Sequence, residues 1–395
     1  MKKSSKSKQK FVNMNQDRIS NLPDSILCKI LSFLDLKESI QTIELSKRWI
    51  PLWTYLPDLN FDFDRYRFQS PSPVWQSQQI LLPYTHFVNQ VLSHRDNSSS
   101  IHKFRLAFGV SVNVDPSFVY NCVDYAINHQ VQELDIAAYH YPKPFQFPQC
   151  LFTCRSLQKL RLKSYSQSMI IPKPFCLPTL KSLHLERFEF MDGEPFCFPK
   201  EPFSSFENLQ ELTLNCCIVD GLAISASKLK VLELLFYGSL PQFSSESKMG
   251  TISAPNLTSF KFEGQVSLVC AMEDLPCLET VYVDLYPLLE HPYTDQIDEK
   301  MPMNLIKFLE QLKNAKYVTL SLSTVEVMYY FRPPFPISNF PFESQRFSSI
   351  HISLYSRVLI QIALFLTILI KWKNECHTIY FSCYTGKKGV GCNYN

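Results

Sequence analysis

The chain has 395 residues, 46% of them hydrophobic, and a formal net charge of +3. That length supports two or more domains with a sizeable core. So small a charge excludes a general affinity for nucleic acid. The charge is uneven, however, because the first ten residues, "MKKSSKSKQK", carry five Lys. Residues 1–16 read as a solvated, disordered basic tail, and the sharper reading is a nuclear-import or acidic-surface tag. No apolar run follows closely enough to make a signal peptide. The thirteen Cys are therefore expected as thiols in a reducing compartment, nucleus and/or cytoplasm.

The first patterned stretch is "NLPDSILCKILSFLDLKES", residues 21–39. Pro23 stands at a favoured first-turn position, where its missing N–H costs nothing. The spacing puts Ile26, Ile30 and Leu34 on one stripe, with Leu27 and Leu31 beside it. A second helical stretch is predicted from about Lys37 to Leu45, carrying Ile40, Ile43 and Leu45. "SKRW" and "PLW" close this unit at Pro57. It is too apolar for a surface helix and too small to be a stable core alone.

Residues 61–100 read as a linker and N-terminal cap. "LNFDFDRY" leads to a Pro/Ser turn, then a helical run with Phe87, Val88, Val91 and Leu92 at core spacing. "RDNSSS" closes the region as a loop.

From residue 101 the chain repeats. The pattern L-x-x-L-x-L, with apolar substitutes, recurs as "IHKFRL", "VQELDI", "LQKLRL", "LKSLHL", "LQELTL", "LKVLEL", "LTSFKF" and "LETVYV". It continues more faintly as "AKYVTL" and "FSSIHI", with successive starts 20 to 37 residues apart. Eight good copies in register predict a leucine-rich-repeat solenoid over 101–325. Each x-L-x-L is a short strand, and stacking the strands buries apolar faces that a single repeat cannot bury alone. The Pro- and Phe-bearing segments between them predict irregular convex connections. One better helix is expected before the 131 strand, with Phe118, Cys122, Val123, Ala126 and Ile127 on one face and Asp115 or Ser117 as cap.

Residues that alternate with the strand leucines face the concave side. Substrate-reading candidates are Lys159, Arg161, Lys163, His184, Glu186, Glu211, Asn215, Glu233 and Tyr282, with Lys261, Glu263 and Asp284 completing the face. Their mixed charge suits a protein partner with patterned charge, whereas nucleic acid requires a continuous positive stripe.

Residues 326–395 read as an atypical C-terminal cap or tail. "VLIQIALFLTILI", 358–370, has 13 residues, short of the roughly 20 that a spanning helix needs. It is expected to be a buried helix or strand, with a weak tail anchor as the alternative, so no membrane partner is expected. Cys376, His377, Cys383 and Cys392 lack the paired spacing of a zinc site, and no metal or other cofactor is expected. Catalysis finds no support either: there is no Gly-rich phosphate loop among nine Gly, and no nucleophile sits in a recognisable signature.

"DRISNLPDSILCKILSFLDLKESIQTIELSKRWIPLWTYLPDLNFD", about 17–62, resembles the F-box of the plant F-box/leucine-rich-repeat proteins. Its anchors are Leu22-Pro23, the apolar run to Leu34, and "LSKRW…LW". "FVNQVLSHRDNSSSIHKFRLAF" and "VQELDI" extend the resemblance to about residue 325. It implies an α/β chain: a three-helix F-box at 17–60, then an irregular solenoid with a curved parallel sheet. It further implies docking on a Skp-type adaptor and, through it, on the cullin and RING subunits of an SCF ubiquitin ligase. The repeats would capture an unknown protein substrate, and the chain itself would be non-catalytic. Leu22, Pro23, Ile26, Leu27, Ile30, Leu31, Leu34, Ile40 and Leu45 match the family's apolar positions, some facing the adaptor and others holding the unit together. Trp49, Leu52 and Trp53 are expected to tie the F-box to the first repeat. Glu44 stands where many relatives carry an apolar residue, with Lys47 or Arg48 as its expected partner. The alternative reading is a repeat scaffold without ligase association.

Overall fold

The structure, a computed structural model, describes residues 19, 21–68, 77–109, 112–138, 147–164, 177–188, 201–217, 223–236, 250–265, 271–286, 308–309, 311–312, 314–321, 323–324, 349–355 and 379–384. The apolar run at 358–370, Cys376, His377 and Cys392 lie outside them.

The chain opens with helix α1, Asp24–Leu31, directly after Pro23, whose carbonyl accepts from the Ile26 and Leu27 amides. Helix α2, Leu36–Gln41, starts in a capping box: the Glu38 amide donates to Asp35 Oδ1 at 2.8 Å, and the Asp35 amide donates to Glu38 Oε2 at 3.2 Å. The third helical stretch is a succession of 3-10 turns, Thr42–Glu44, Lys47–Trp49 and Leu52–Tyr55. Ser46 is extended, and Pro51 brings no amide to an α-helical ladder, so a continuous helix cannot form.

Strand β1, Asp58–Asp62, follows at once and pairs parallel with β2, Lys103–Ala107. The sheet therefore begins inside the stretch read as F-box and linker, one repeat earlier than the sequence pattern showed. "LPDLNF", 56–61, carries the same pattern, with Leu56 as its buried leading residue, but it falls inside the stretch that resembles the F-box. Helices α3, Phe63–Phe68, and α4, Ser77–His94, fill the connection between β1 and β2. Arg95, just past α4, is buried, and its guanidinium donates to the carbonyls of Leu56, Ser99 and Ser100 at 3.0, 2.7 and 3.0 Å. These bonds tie the end of the F-box to the start of the repeats.

The main sheet has twelve parallel strands in the order β1-β2-β3-β4-β5-β6-β8-β10-β12-β13-β14-β15. Every hexamer read from the sequence supplies one strand. After β2 come β3 Glu133–Ala138, β4 Lys159–Ser164, β5 Ser182–Glu186 and β6 Glu211–Asn215. Then come β8 Val231–Leu235, β10 Ser259–Gln265, β12 Thr280–Tyr286, β13 Tyr317–Ser321 and β14 Ser349–Tyr355. A last strand, β15 Ile379–Tyr384, pairs with β14. The stretch beyond 326 thus contributes two strands to the same sheet. Between the later repeats, β7 Ile224–Ser225, β9 Thr251–Ser253 and β11 Ala271–Met272 form a second, three-stranded parallel sheet. The described parts of these connections thus include short paired strands beside the irregular segments the sequence suggested.

Register explains the repeat. Leu134, Leu160, Leu183, Leu212, Leu232 and Phe260 line up across neighbouring strands and are all buried. The leading residues Val131, Leu157, Leu180, Leu209, Leu229 and Leu257 form a second buried layer. Burying each such side chain contributes about 1.5–3 kcal/mol. Helix α5, Pro116–Asn128, packs Phe118, Cys122, Val123 and Ala126 into this core, and the Asp115 carboxylate caps it through the Ser117 amide at 2.9 Å. The core is continuous from Leu27 in α1 to Leu320 in β13.

Candidate interaction surfaces

The helical unit divides its apolar residues by periodicity. Leu27 and Leu31 are fully buried and join Leu36, Trp49 and Leu52 in the core. Ile26, Ile30 and Leu34 lie outward, 46%, 38% and 41% exposed. Of the other candidate positions, Leu22 and Ile40 are half-buried against the core, Pro23 is exposed, and Leu45 is 67% exposed. Leu27 and Leu31 thus hold the unit together, and the outward stripe is free to meet another chain.

The helical unit also exposes large apolar residues that the sequence reading left out of the candidates: Phe33 at 76% exposure, Ile19, Ile43 and Ile50. Phe33 stands seven residues after Ile26, in the turn just past α1, and that spacing was the available signal. Leu52 lies against α1, where the Cys28 thiol approaches its carbonyl at 3.7 Å, so it belongs to the helical unit itself. Trp49 is buried and Trp53 partly buried in the same core.

Arg48 fixes the mouth of this face. Its guanidinium donates to Asp24 Oδ1 at 2.8 Å through Nε and 2.6 Å through Nη2, and to the Leu22 carbonyl. The partner of Arg48 is therefore Asp24 rather than Glu44. Glu44 is exposed between Ile43 and Leu45.

The second surface is the open face of the sheet, where alternate strand residues turn away from the core. Ion pairs on this face cross between neighbouring strands. Lys159 pairs with Glu133 at 2.8 Å, Lys163 with Glu186 at 2.7 Å, and Arg105 with Asp62 at 3.3 Å. Lys159 holds the Glu133 carboxyl below its ordinary range, and Glu133 raises the Lys159 ammonium in turn. Glu186 is buried under its Lys163 contact, so it is a structural anion more than a free contact.

Arg161 and Glu211 are exposed, while His184, Asn215, Glu233 and Tyr282 are half-buried. His184 Nε2 is buried without a hydrogen-bond partner, 4.0 Å from Glu186. Burial, and then the neighbouring Arg161 charge, push its imidazole below the ordinary value. Glu233 accepts from the Thr213 hydroxyl at 3.1 Å. The Lys261 ammonium lies 5.2 Å above the Tyr282 ring and 2.7 Å from Glu263. Glu263 is nearly buried, and burial together with Asp284 and Glu233 pushes its carboxyl up to about 7.

Asp284 is held by the Ser321 and Ser323 hydroxyls, both at 2.5 Å. Ser321 directly follows the faint repeat "AKYVTL" and ends β13, and the weakness of that pattern hid its place on this face. No group of three or more His, Cys, Asp or Glu among the described residues could hold a metal ion. No helix among the described residues is long and apolar enough to cross a membrane.

An apolar-faced helical unit fused to a parallel repeat sheet defines an F-box leucine-rich-repeat protein. Family comparison agrees. Residues 19–59 match the F-box domain, and residues 93–287 match the domain described as At1g61320/AtMIF1, LRR domain. The F-box/LRR-repeat protein At4g14103 of Arabidopsis thaliana is 28% identical over 329 residues, 82% of this chain and 83% of its own length. F-box/LRR-repeat protein At4g14096 of the same plant is 29% identical over 82% of this chain and 66% of its own length. FBD-associated F-box protein At4g10400, also from Arabidopsis thaliana, is 31% identical over 68% of this chain and 61% of its own length. The chain thus spans about two thirds or less of the last two. It belongs to the plant F-box/leucine-rich-repeat family. Members of this family are typically non-catalytic adaptors.

Proposed function

We propose that this chain is the substrate-recognition subunit of an SCF (cullin-RING) ubiquitin ligase, acting in the nucleus and/or cytoplasm. Its F-box docks on a Skp-type adaptor, which links it to the cullin and RING subunits, and its repeats capture a protein for ubiquitination. The chain contributes position rather than chemistry, raising the local concentration of substrate near the conjugating enzyme.

The observation that carries this reading is the outward stripe Ile26, Ile30, Phe33 and Leu34 with Leu45 nearby, all exposed. A unit this small does not leave so much apolar surface in water without a partner to cover it. One observation favours a scaffold without ligase association: the Glu44 carboxylate stands between exposed Ile43 and Leu45. An unpaired carboxylate drawn into an interface would cost affinity.

Co-purification with a Skp-type adaptor separates the two readings. Wild type is expected to bind. Phe33→Asp with Leu45→Asp is expected to weaken binding ~30-fold or more, about 2 kcal/mol, with an unchanged thermal midpoint. A soluble, folded wild type that fails to bind would overturn the ligase reading and leave the scaffold.

A further inference from the structure

The sheet's open face is electrically polar along the stack of strands. Strands β1–β5 carry Lys103, Arg105, Lys159, Arg161 and Lys163 against Asp58, Asp62, Glu133, Asp135 and Glu186, five of each sign. Strands β6–β12 carry Glu211, Glu233, Glu263 and Asp284 against Lys261 alone. Much of this charge is already answered within the face. Lys159, Lys163, Arg105 and Lys261 each have a carboxylate partner. What remains unanswered is asymmetric. Arg161 on β4 is exposed and makes no ion pair among the described residues. Beyond it, Glu211 is exposed, while Glu233 and Asp284 are bonded only to hydroxyls.

Between the two ends the same register row runs Arg161, His184, Thr213, Glu233. The imidazole is held toward its neutral form by burial and by Arg161. Along this row His184 and Thr213 separate Arg161 from Glu233, and the excess of carboxylates lies on the Glu233 side.

Resting on the reading of this face as the capture surface, we propose that the captured protein presents an extended segment running across the strands. Its acidic group lies at Arg161, and its Lys or Arg side chains lie over Glu233 and Asp284. The spacing follows from strand geometry. At ~4.8 Å per strand, β8 is ~14 Å and β12 is ~24 Å from β4. An extended chain covers ~3.3 Å per residue, so the acidic and basic groups stand about four to seven residues apart. A segment of the opposite charge order can comply by running in reverse. A segment with interleaved charges cannot, because each favourable contact would bring an unfavourable one beside it.

The test uses the full chain bound to its Skp-type adaptor and two fluorescein-labelled peptides of the same composition. One has three Asp at one end and three Lys at the other, with five neutral residues between; the second interleaves the same charges. By fluorescence polarisation at low salt, the segregated peptide is expected to bind at least ~10-fold tighter, with the preference fading as salt screens it. Arg161→Glu, on the exposed side of the sheet, is expected to abolish that preference and to favour an all-Lys peptide. Equal binding of the two peptides would overturn the proposal. So would an all-Lys peptide winning on wild type, which would assign the face to a simply basic occupant such as the chain's own Lys-rich first ten residues. Adaptor retention is read in the same preparation. Its loss counts against the ligase reading, while the peptide ratio alone decides the polarity.

Discussion

The two surfaces present opposite solutions to binding. The helical unit exposes large apolar side chains, Ile, Leu and Phe, and its geometry is fixed from behind by Leu27, Leu31 and Trp49. The repeat face exposes charged and polar side chains on a rigid sheet and hides its leucines completely. An apolar face favours a lasting partner, because desolvation drives association and dissociation re-exposes it. A polar face with paired charges discriminates among partners, since wrong charge order costs more than right order gains. One chain thus joins a surface suited to permanent assembly with one suited to choosing and releasing.

Three measurements would break or sharpen that contrast. The largest effect is expected in the shared core. Leu212→Ala in β6 should cost about 2–5 kcal/mol in urea unfolding, as should Leu31→Ala in α1, since both side chains are fully buried. Because the core is continuous from Leu27 to Leu320, both losses should appear in one transition. Two separate transitions would show that the surfaces sit on independent units.

A smaller effect concerns pH. Glu263 takes up its proton near pH 7 in the folded chain, above the range of a free carboxyl. The folded state therefore binds more protons than the unfolded state between about pH 4.5 and 7. Stability falls as pH rises through that window and levels off above it. Glu263→Gln removes this dependence, so its thermal midpoint should exceed wild type near pH 8, with the gap closing near pH 5. A gap that widens on acidification would contradict the assignment.

The smallest effect belongs to the open face. Lys159 is 60% exposed at its side chain, so Lys159→Met should change stability by less than about 1 kcal/mol. A larger loss would mean that the face's ion pairs build the fold instead of presenting charge.

The sequence made the solenoid legible because its apolar period is local. Each hexamer carries its own strand signal, and the pairing of "LQKLRL" with "LKSLHL" follows from repetition alone. Strand β1 was hidden because "LPDLNF" keeps the whole pattern, Leu56 included, but lies inside the stretch that resembles the F-box. The 3-10 turns after α2 were hidden because the pattern of Ile43, Leu45 and Trp49 resembles a helix, while Ser46 and Pro51 decide otherwise.

By itself the sequence determined the class of protein, the strand register and the residues turned away from the core, since these depend on spacings of two and of three to four along the chain. Only the tertiary structure decided which F-box leucines are core and which face outward. Leu27 and Ile26 are adjacent and equally apolar, and their difference arises from Leu36, Trp49 and Leu52 packing on one side of α1 and nothing described packing on the other. It likewise decided which open-face charges are already satisfied. Lys163 meets Glu186 and Arg161 meets no acid among the described residues because of strand order and side-chain reach, which no single stretch of sequence encodes.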